Sequence, residues 1–162
     1  MRSFGMVLLV LFLASSSGTA FAQSNHDVAY FCVSEVAGGL WYNEKVKKWE
    51  GTSFRATAKF LVEMSFAYLW VKQNEQVSDY KVTVTRSGEK TGLPCLSHIT
   101  KEKTVTVGDS YRTVFCTTGF QDYVVNLQTN RFLVIYLADY VNGKDNNADN
   151  PSIEAGTCTK ID

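Results

Sequence analysis

The sequence predicts a mainly β fold, a single antiparallel barrel or sandwich of about eight to ten short strands tied by two disulfides. Three observations predict it. Apolar residues recur at every second position in several segments, as strands with one buried face require. Turn-forming residues separate those segments. Four cysteines, Cys32, Cys95, Cys116 and Cys158, follow an N-terminal export signal.

The export signal sets the compartment. Arg2 supplies a positive start, Met6 to Ala14 form an apolar run, and Ala20-Phe21-Ala22 fits signal peptidase, so cleavage is expected between Ala22 and Gln23. The apolar run is shorter than the roughly 20 residues needed to span a bilayer. The expected organisation is a signal peptide over 1–22 and one secreted or periplasmic domain over 23–162, with no membrane anchor. A domain of this size buries roughly two-thirds of its unfolded surface.

An exported chain with an even number of cysteines usually pairs them. Three connectivities are possible; the expected one is Cys32–Cys158 with Cys95–Cys116, the first tying the two ends of the domain and the second joining neighbouring segments. The close cysteine and histidine spacings of zinc sites are missing.

Strands are expected at Val28 to Ser34, Leu40 to Asn43, Tyr80 to Thr85, Leu93 to Ile99, Thr104 to Val107, Tyr111 to Thr117, Asp122 to Leu127, Arg131 to Tyr140 and Ile153 to Cys158. Ser87-Gly88-Glu89-Lys90, Gly108-Asp109-Ser110 and Gln128-Thr129-Asn130 read as reversals. Lys59 to Lys72 is ambiguous. Its length and its Ala, Leu and Met content allow a helix, but Phe60, Val62, Met64, Phe66, Tyr68 and Trp70 alternate, and a strand lines all six on one face. A barrel is preferred over a sandwich, because pairing of the first and last cysteines brings the end strands together and removes exposed edges.

Removing Arg2 with the signal leaves 15 basic and 16 acidic side chains, one net negative charge. Near-neutrality argues against nucleic acid or an anionic membrane as the principal partner, since clustered Lys and Arg hold both. The cluster Lys45, Lys47 and Lys48 is flanked by Glu44 and Glu50 and reads as a solvated turn.

Groups for catalysis are sparse. His26 lies just after the cleavage site, and His98 has no partner visible in sequence. The motifs G-x-S-x-G and H-E-x-x-H and a phosphate-cradling glycine loop are missing. A hydrolytic enzyme with a site assembled from several strands remains the alternative to a non-catalytic binding protein. No cofactor is expected. Asp145, Asn147 and Asp149 alternate as calcium ligands do, but Asn150 replaces the required glycine and Gly156 stands where the bidentate Glu belongs, so an exposed loop is expected there.

Trp41, Phe60, Tyr68 and Trp70 are the candidates for an apolar ligand site. Gly39-Leu40-Trp41, Ser78-Asp79-Tyr80 and Arg131 are similar to the three short motifs of lipocalins. That resemblance implies an eight-stranded barrel whose Trp closes one end over an apolar interior for a small molecule. A second resemblance covers more of the chain. Tyr30-Phe31-Cys32, Lys48 to Phe54, Arg131-Phe132-Leu133, Tyr140-Val141 and Pro151 to Ile161 look like blocks of small exported proteins of unknown function from Gram-negative bacteria. It implies a periplasmic or secreted location and no activity. At fold level the expected domain also resembles small periplasmic β-barrels that inhibit lysozymes, which implies a protein surface as partner.

Overall fold

The computed structural model describes residues 27–72, 74–108, 110–137 and 140–161. The signal segment 1–22 and His26 lie outside the described residues, as does Asp109 in one expected reversal.

Ten strands form one antiparallel sheet: β1 (Val28–Asn43), β2 (Lys48–Phe54), β3 (Lys59–Lys72), β4 (Glu75–Arg86), β5 (Leu93–Ser97), β6 (Val105–Gly108), β7 (Thr113–Thr118), β8 (Gln121–Asn126), β9 (Arg131–Tyr136) and β10 (Ser152–Ile161). Eight of them, in the order β1-β3-β4-β5-β7-β8-β9-β10, close into a barrel when β10 pairs back onto β1. The remaining two extend it. β2 folds back on the distal half of β1 to make a projecting arm. β6 takes up the length of the β4 edge, Val77 to Tyr80, that lies beyond the β5 pairing at Val82 to Val84.

The alternation read from the sequence is the interior of this barrel. Tyr30 and Cys32, Phe60, Val62 and Met64, Val82 and Val84, Val114 and Cys116, Tyr123 and Val125, and Phe132 and Val134 all point inward into one core. Phe60 stands at its centre, edge-on to Tyr123 at 5.2 Å and to Phe132 at 4.9 Å between ring centroids. Both expected disulfides are formed, and the described residues hold no free cysteine. Cys32 and Cys158 are register partners across the closing seam. Gly156 lets that seam approach: a Cβ there would sit 2.1 Å from the Val33 carbonyl and 2.9 Å from the Phe132 ring.

Three expectations change. Lys59–Lys72 is a strand, but its six large apolar residues do not share a face. Phe66 pairs with Tyr80 and Tyr68 with Asp79, so Ala67 is an extra residue, a β-bulge that reverses the facing of everything beyond it. Phe60, Val62 and Met64 are buried, whereas Tyr68 and Trp70 emerge on the other face. Second, Leu40 to Asn43 is not a separate strand; it continues β1, and its partner β2 escaped notice because its exposed residues carry no alternation. The lysine cluster straddles the reversal, with Lys45 and Lys47 in the turn and Lys48 opening β2; Lys47 takes the left-handed conformation at φ 58°. Third, β9 ends at Tyr136, short of the expected Tyr140. The reversals at Gly88 (φ 90°) and Asn130 (φ 56°) stand as expected.

The two disulfides close chain separations of 126 and 21 residues. Loop-closure entropy then predicts that a Cys32→Ala/Cys158→Ala variant loses about 5 kcal/mol and a Cys95→Ala/Cys116→Ala variant about 3 kcal/mol in urea unfolding. Phe60→Ala removes the central ring and should cost about 3–5 kcal/mol in the same measurement.

Candidate functional site

The space inside the strands is occupied by the rings and methyl groups of one continuous core. The end near Phe60 is closed by a polar cap. Arg86 Nη2 donates to Gln121 Oε1 at 2.6 Å and its Nε to the Tyr123 hydroxyl at 3.2 Å, while that hydroxyl donates to Gln121 Oε1 at 2.7 Å. Glu154 Oε2 accepts the backbone N–H groups of Thr57 and Ala58 at 3.0 and 2.9 Å. The cap holds a shallow hollow of about 250 Å³, and its polar groups are engaged with one another. Burial pushes the Tyr123 phenol above its ordinary range, against the opposing influence of the Arg86 guanidinium.

The distinctive surface lies beyond the bulge. There β3 and β4 run on as a hairpin, with Tyr68 opposite Asp79 and Trp70 opposite Val77, and β6 lays Thr106 beside Asp79. Tyr68, Trp70, Asp79 and Thr106, with Phe115 of β7 and Ile99 and Glu102 from the β5–β6 connection, wall a groove of about 610 Å³ on the outside of the barrel. Its apolar walls are open to solvent: Tyr68 is 51%, Ile99 85% and Phe115 38% exposed, and Trp70 36%. Its floor is a carboxyl group. Asp79 is only 4% exposed, and its Oδ1 is buried with no hydrogen-bond partner. The Tyr68 hydroxyl bonds to the same carboxylate, which raises the phenol pKa; the Thr104 hydroxyl acts in the opposite direction.

The four sequence candidates for ligand binding therefore separate. Tyr68 and Trp70 come together in the groove, Phe60 is buried in the core beneath the hollow at the polar cap, and Trp41 sits half-exposed on the β1–β2 arm opposite Glu50. Trp41 does not close a barrel end. Asp79, which defines the groove, appeared in the sequence only as the middle of Ser78-Asp79-Tyr80, and a carboxylate between β-forming residues gives no sign of burial.

His98 has a partner that sequence reasoning missed. Its Nδ1 lies 3.3 Å from Asp122 Oδ1, and its ring stacks on Phe115 at 4.2 Å with 13° between planes. Asp122 is the one carboxylate in contact with His98 among the described residues, and no nucleophile accompanies the pair in the contacts described. In the 140–150 loop, Asp145 Oδ1 accepts the Trp49 indole N–H at 2.9 Å, and Asn147 exchanges two hydrogen bonds with the Tyr42 backbone. Two of the three residues of the alternating calcium-like pattern thus tie the loop to the β1–β2 arm, whose Trp49 also packs edge-on against Tyr140. Asp149 borders a separate hollow with Phe120 and Val141. Among the described residues no three His, Cys, Asp or Glu side chains converge on a metal position.

No family model, curated protein or solved structure matches this chain.

The buried phenols give the protein an alkaline limit. Tyr123 and Tyr30 both have pKa values raised chiefly by burial. A raised folded-state pKa means the neutral phenol stabilises the fold below the unfolded value of about 10, and that this contribution is lost as pH rises through the folded value. Urea midpoints should therefore be flat from about pH 8 to 9.5 and fall above about pH 10. Tyr123→Phe should lower the midpoint at neutral pH, through loss of its bonds to Arg86 and Gln121, and should make the alkaline decline shallower.

Proposed function

We propose that this chain is an exported, non-catalytic binding protein that recognises its partner with the outer groove between the β3–β4 hairpin and the β5–β6 connection. The observation that carries this reading is the division of aromatic residues. The core consumes Phe60, Tyr123 and Phe132, while Tyr68, Trp70 and Phe115 are left partly exposed around one concavity. Leu69 and Val71 on the opposite face of the same hairpin are also exposed, at 50% and 70%. Exposed apolar residues gathered at one end of a small domain mark contact surfaces more often than solitary ones do.

A surface recognition role fits the structure better than internal carriage of an apolar molecule, because a carrier needs a cavity of roughly 300 Å³ or more enclosed by its strands. The two disulfides fit an oxidising compartment, and with the N-terminal signal they support a secreted or periplasmic location. No helix among the described residues is long and apolar enough to cross a membrane.

The reading is checked with a neutral hydrophobic dye such as N-phenyl-1-naphthylamine. Wild-type protein should enhance its fluorescence, and a Tyr68→Ala/Trp70→Ala variant should lose most of that enhancement. The melting temperature should move by no more than about 4 °C, as expected for substitutions on an exposed face. Release of a stoichiometric apolar small molecule from the purified protein in denaturing mass spectrometry would reverse the assignment in favour of a carrier.

A further inference from the structure

We infer that the groove receives an arginine side chain presented by an apolar patch on a partner protein, with Asp79 as the anionic floor of the site. The inference rests on the groove being the recognition surface and adds what that surface selects. Asp79 is more than nine-tenths buried, it lines the groove, and Oδ1 has no donor from the protein. A buried carboxylate oxygen left without a partner is costly, and a donor that reaches it as the exposed side chains of the groove part removes that cost. The complement of such a floor is a cation bearing N–H groups.

The walls narrow the choice among cations. Tyr68, Trp70 and Phe115, the last stacked on His98, line the groove with the carboxylate, and cations are attracted to aromatic rings. A quaternary ammonium satisfies the rings but has no hydrogen to give to Oδ1. A lysine ammonium satisfies the carboxylate but is strongly hydrated. A guanidinium is planar, stacks on rings, is more weakly hydrated, and carries donors in its plane, so it meets both demands together. Neighbouring charge is mixed, with Glu102 and Lys72 both on the rim, so the selectivity resides in the floor.

The rim also identifies the source of the guanidinium. Ile99 in the groove wall is 85% exposed, and Tyr68, which lines the same groove, is 51% exposed. A small free cation entering the groove leaves both in water. A protein surface that delivers an arginine between apolar neighbours covers them, and buried basic anchors ringed by apolar contacts are how protein interfaces concentrate their affinity.

The test uses the full mature protein and two short peptides, acetyl-Ile-Arg-Ile-amide and the same peptide with citrulline, which keeps the shape and removes the charge. Binding is followed by the indole N–H resonance of Trp70, assigned with Trp70→Phe. The arginine peptide should bind about tenfold or more tightly than the citrulline peptide, the scale of one hydrogen bond to a charged group. Asp79→Asn should abolish that preference while leaving the weak citrulline binding unchanged. The peptide comparison on unaltered protein reads the charge preference even if Asp79→Asn does not fold. Equal binding of the two peptides overturns the inference, and if that equal binding is still lost in Tyr68→Ala/Trp70→Ala, the groove remains the recognition surface while its selectivity for arginine falls. Ethylguanidinium binding as tightly as the arginine peptide overturns the assignment to a protein partner and makes the occupant a small cation.

Discussion

The seam between the first and last strands is the constraint on which the rest of the molecule depends. An antiparallel sheet of this length has two edges with unpaired backbone groups, and closing β10 onto β1 satisfies both without a second sheet. Closure is demanding because β1 must accept β3 on one edge and β10 on the other through the same residues, Ala29 to Val33. Cys32 and Cys158 lie opposite each other in that stretch, so the covalent tie fixes the register as well as the proximity of the ends. Gly156 removes the side chain that would hold the strands apart and gives its space to Phe132, which in turn packs on Phe60. The covalent bond, the missing side chain and the central ring are three parts of one arrangement.

Once closed, the barrel fills its interior with its own side chains. Eight strands leave an interior just wide enough for side chains to fill, and here large rings fill it from three sides, from β3, β8 and β9. Surface features then come from what projects from the barrel, and among the described residues two such projections stand out. The β1–β2 arm is pinned down, with its Trp49 and Tyr42 bonded to the 140–150 loop. The β3–β4 hairpin is supported along one edge by β6 and keeps its aromatic side chains open.

What was legible in the sequence follows from where period-two alternation is enforced. Val82 and Val84, Tyr123 and Val125, and Phe60, Val62 and Met64 have one face in a dry core and one in water, so their pattern names the face and predicts the strand. The cysteine pairing was legible for a related reason, since closure of the barrel and the tie between the chain ends require the same proximity. β2 was illegible because both of its faces are largely solvated, and nothing then selects for alternation. The groove was half legible. Tyr68 and Trp70 stood out as large and aromatic, but their pairing with Asp79 depends on strand register, and the contact between His98 and Asp122 joins residues 24 positions apart through β5, β7 and β8. Trp41 and Phe60 stood out equally, and the fold sends one to an exposed arm and the other to the core.

The bulge at Ala67 shows why a single residue decides the character of the site. β3 pairs with β4 without interruption from Phe60 opposite Arg86 to Phe66 opposite Tyr80, and the Phe66 and Tyr80 rings meet at 5.9 Å. If the register continued unbroken, Ala67 would stand opposite Asp79, and Tyr68 would face the same way as Phe66, on the side that leads into the core. The carboxylate would then have a methyl group for a neighbour. Insertion of Ala67 advances Tyr68 by one position, so that a phenol that hydrogen-bonds to the carboxylate, followed by an indole two residues on, shares a face with Asp79. The same residue that releases two aromatic side chains from the barrel assembles them around the buried Asp79, and this coincidence of exposed rings with an unpaired oxygen sets the groove apart from an accidental patch of apolar surface.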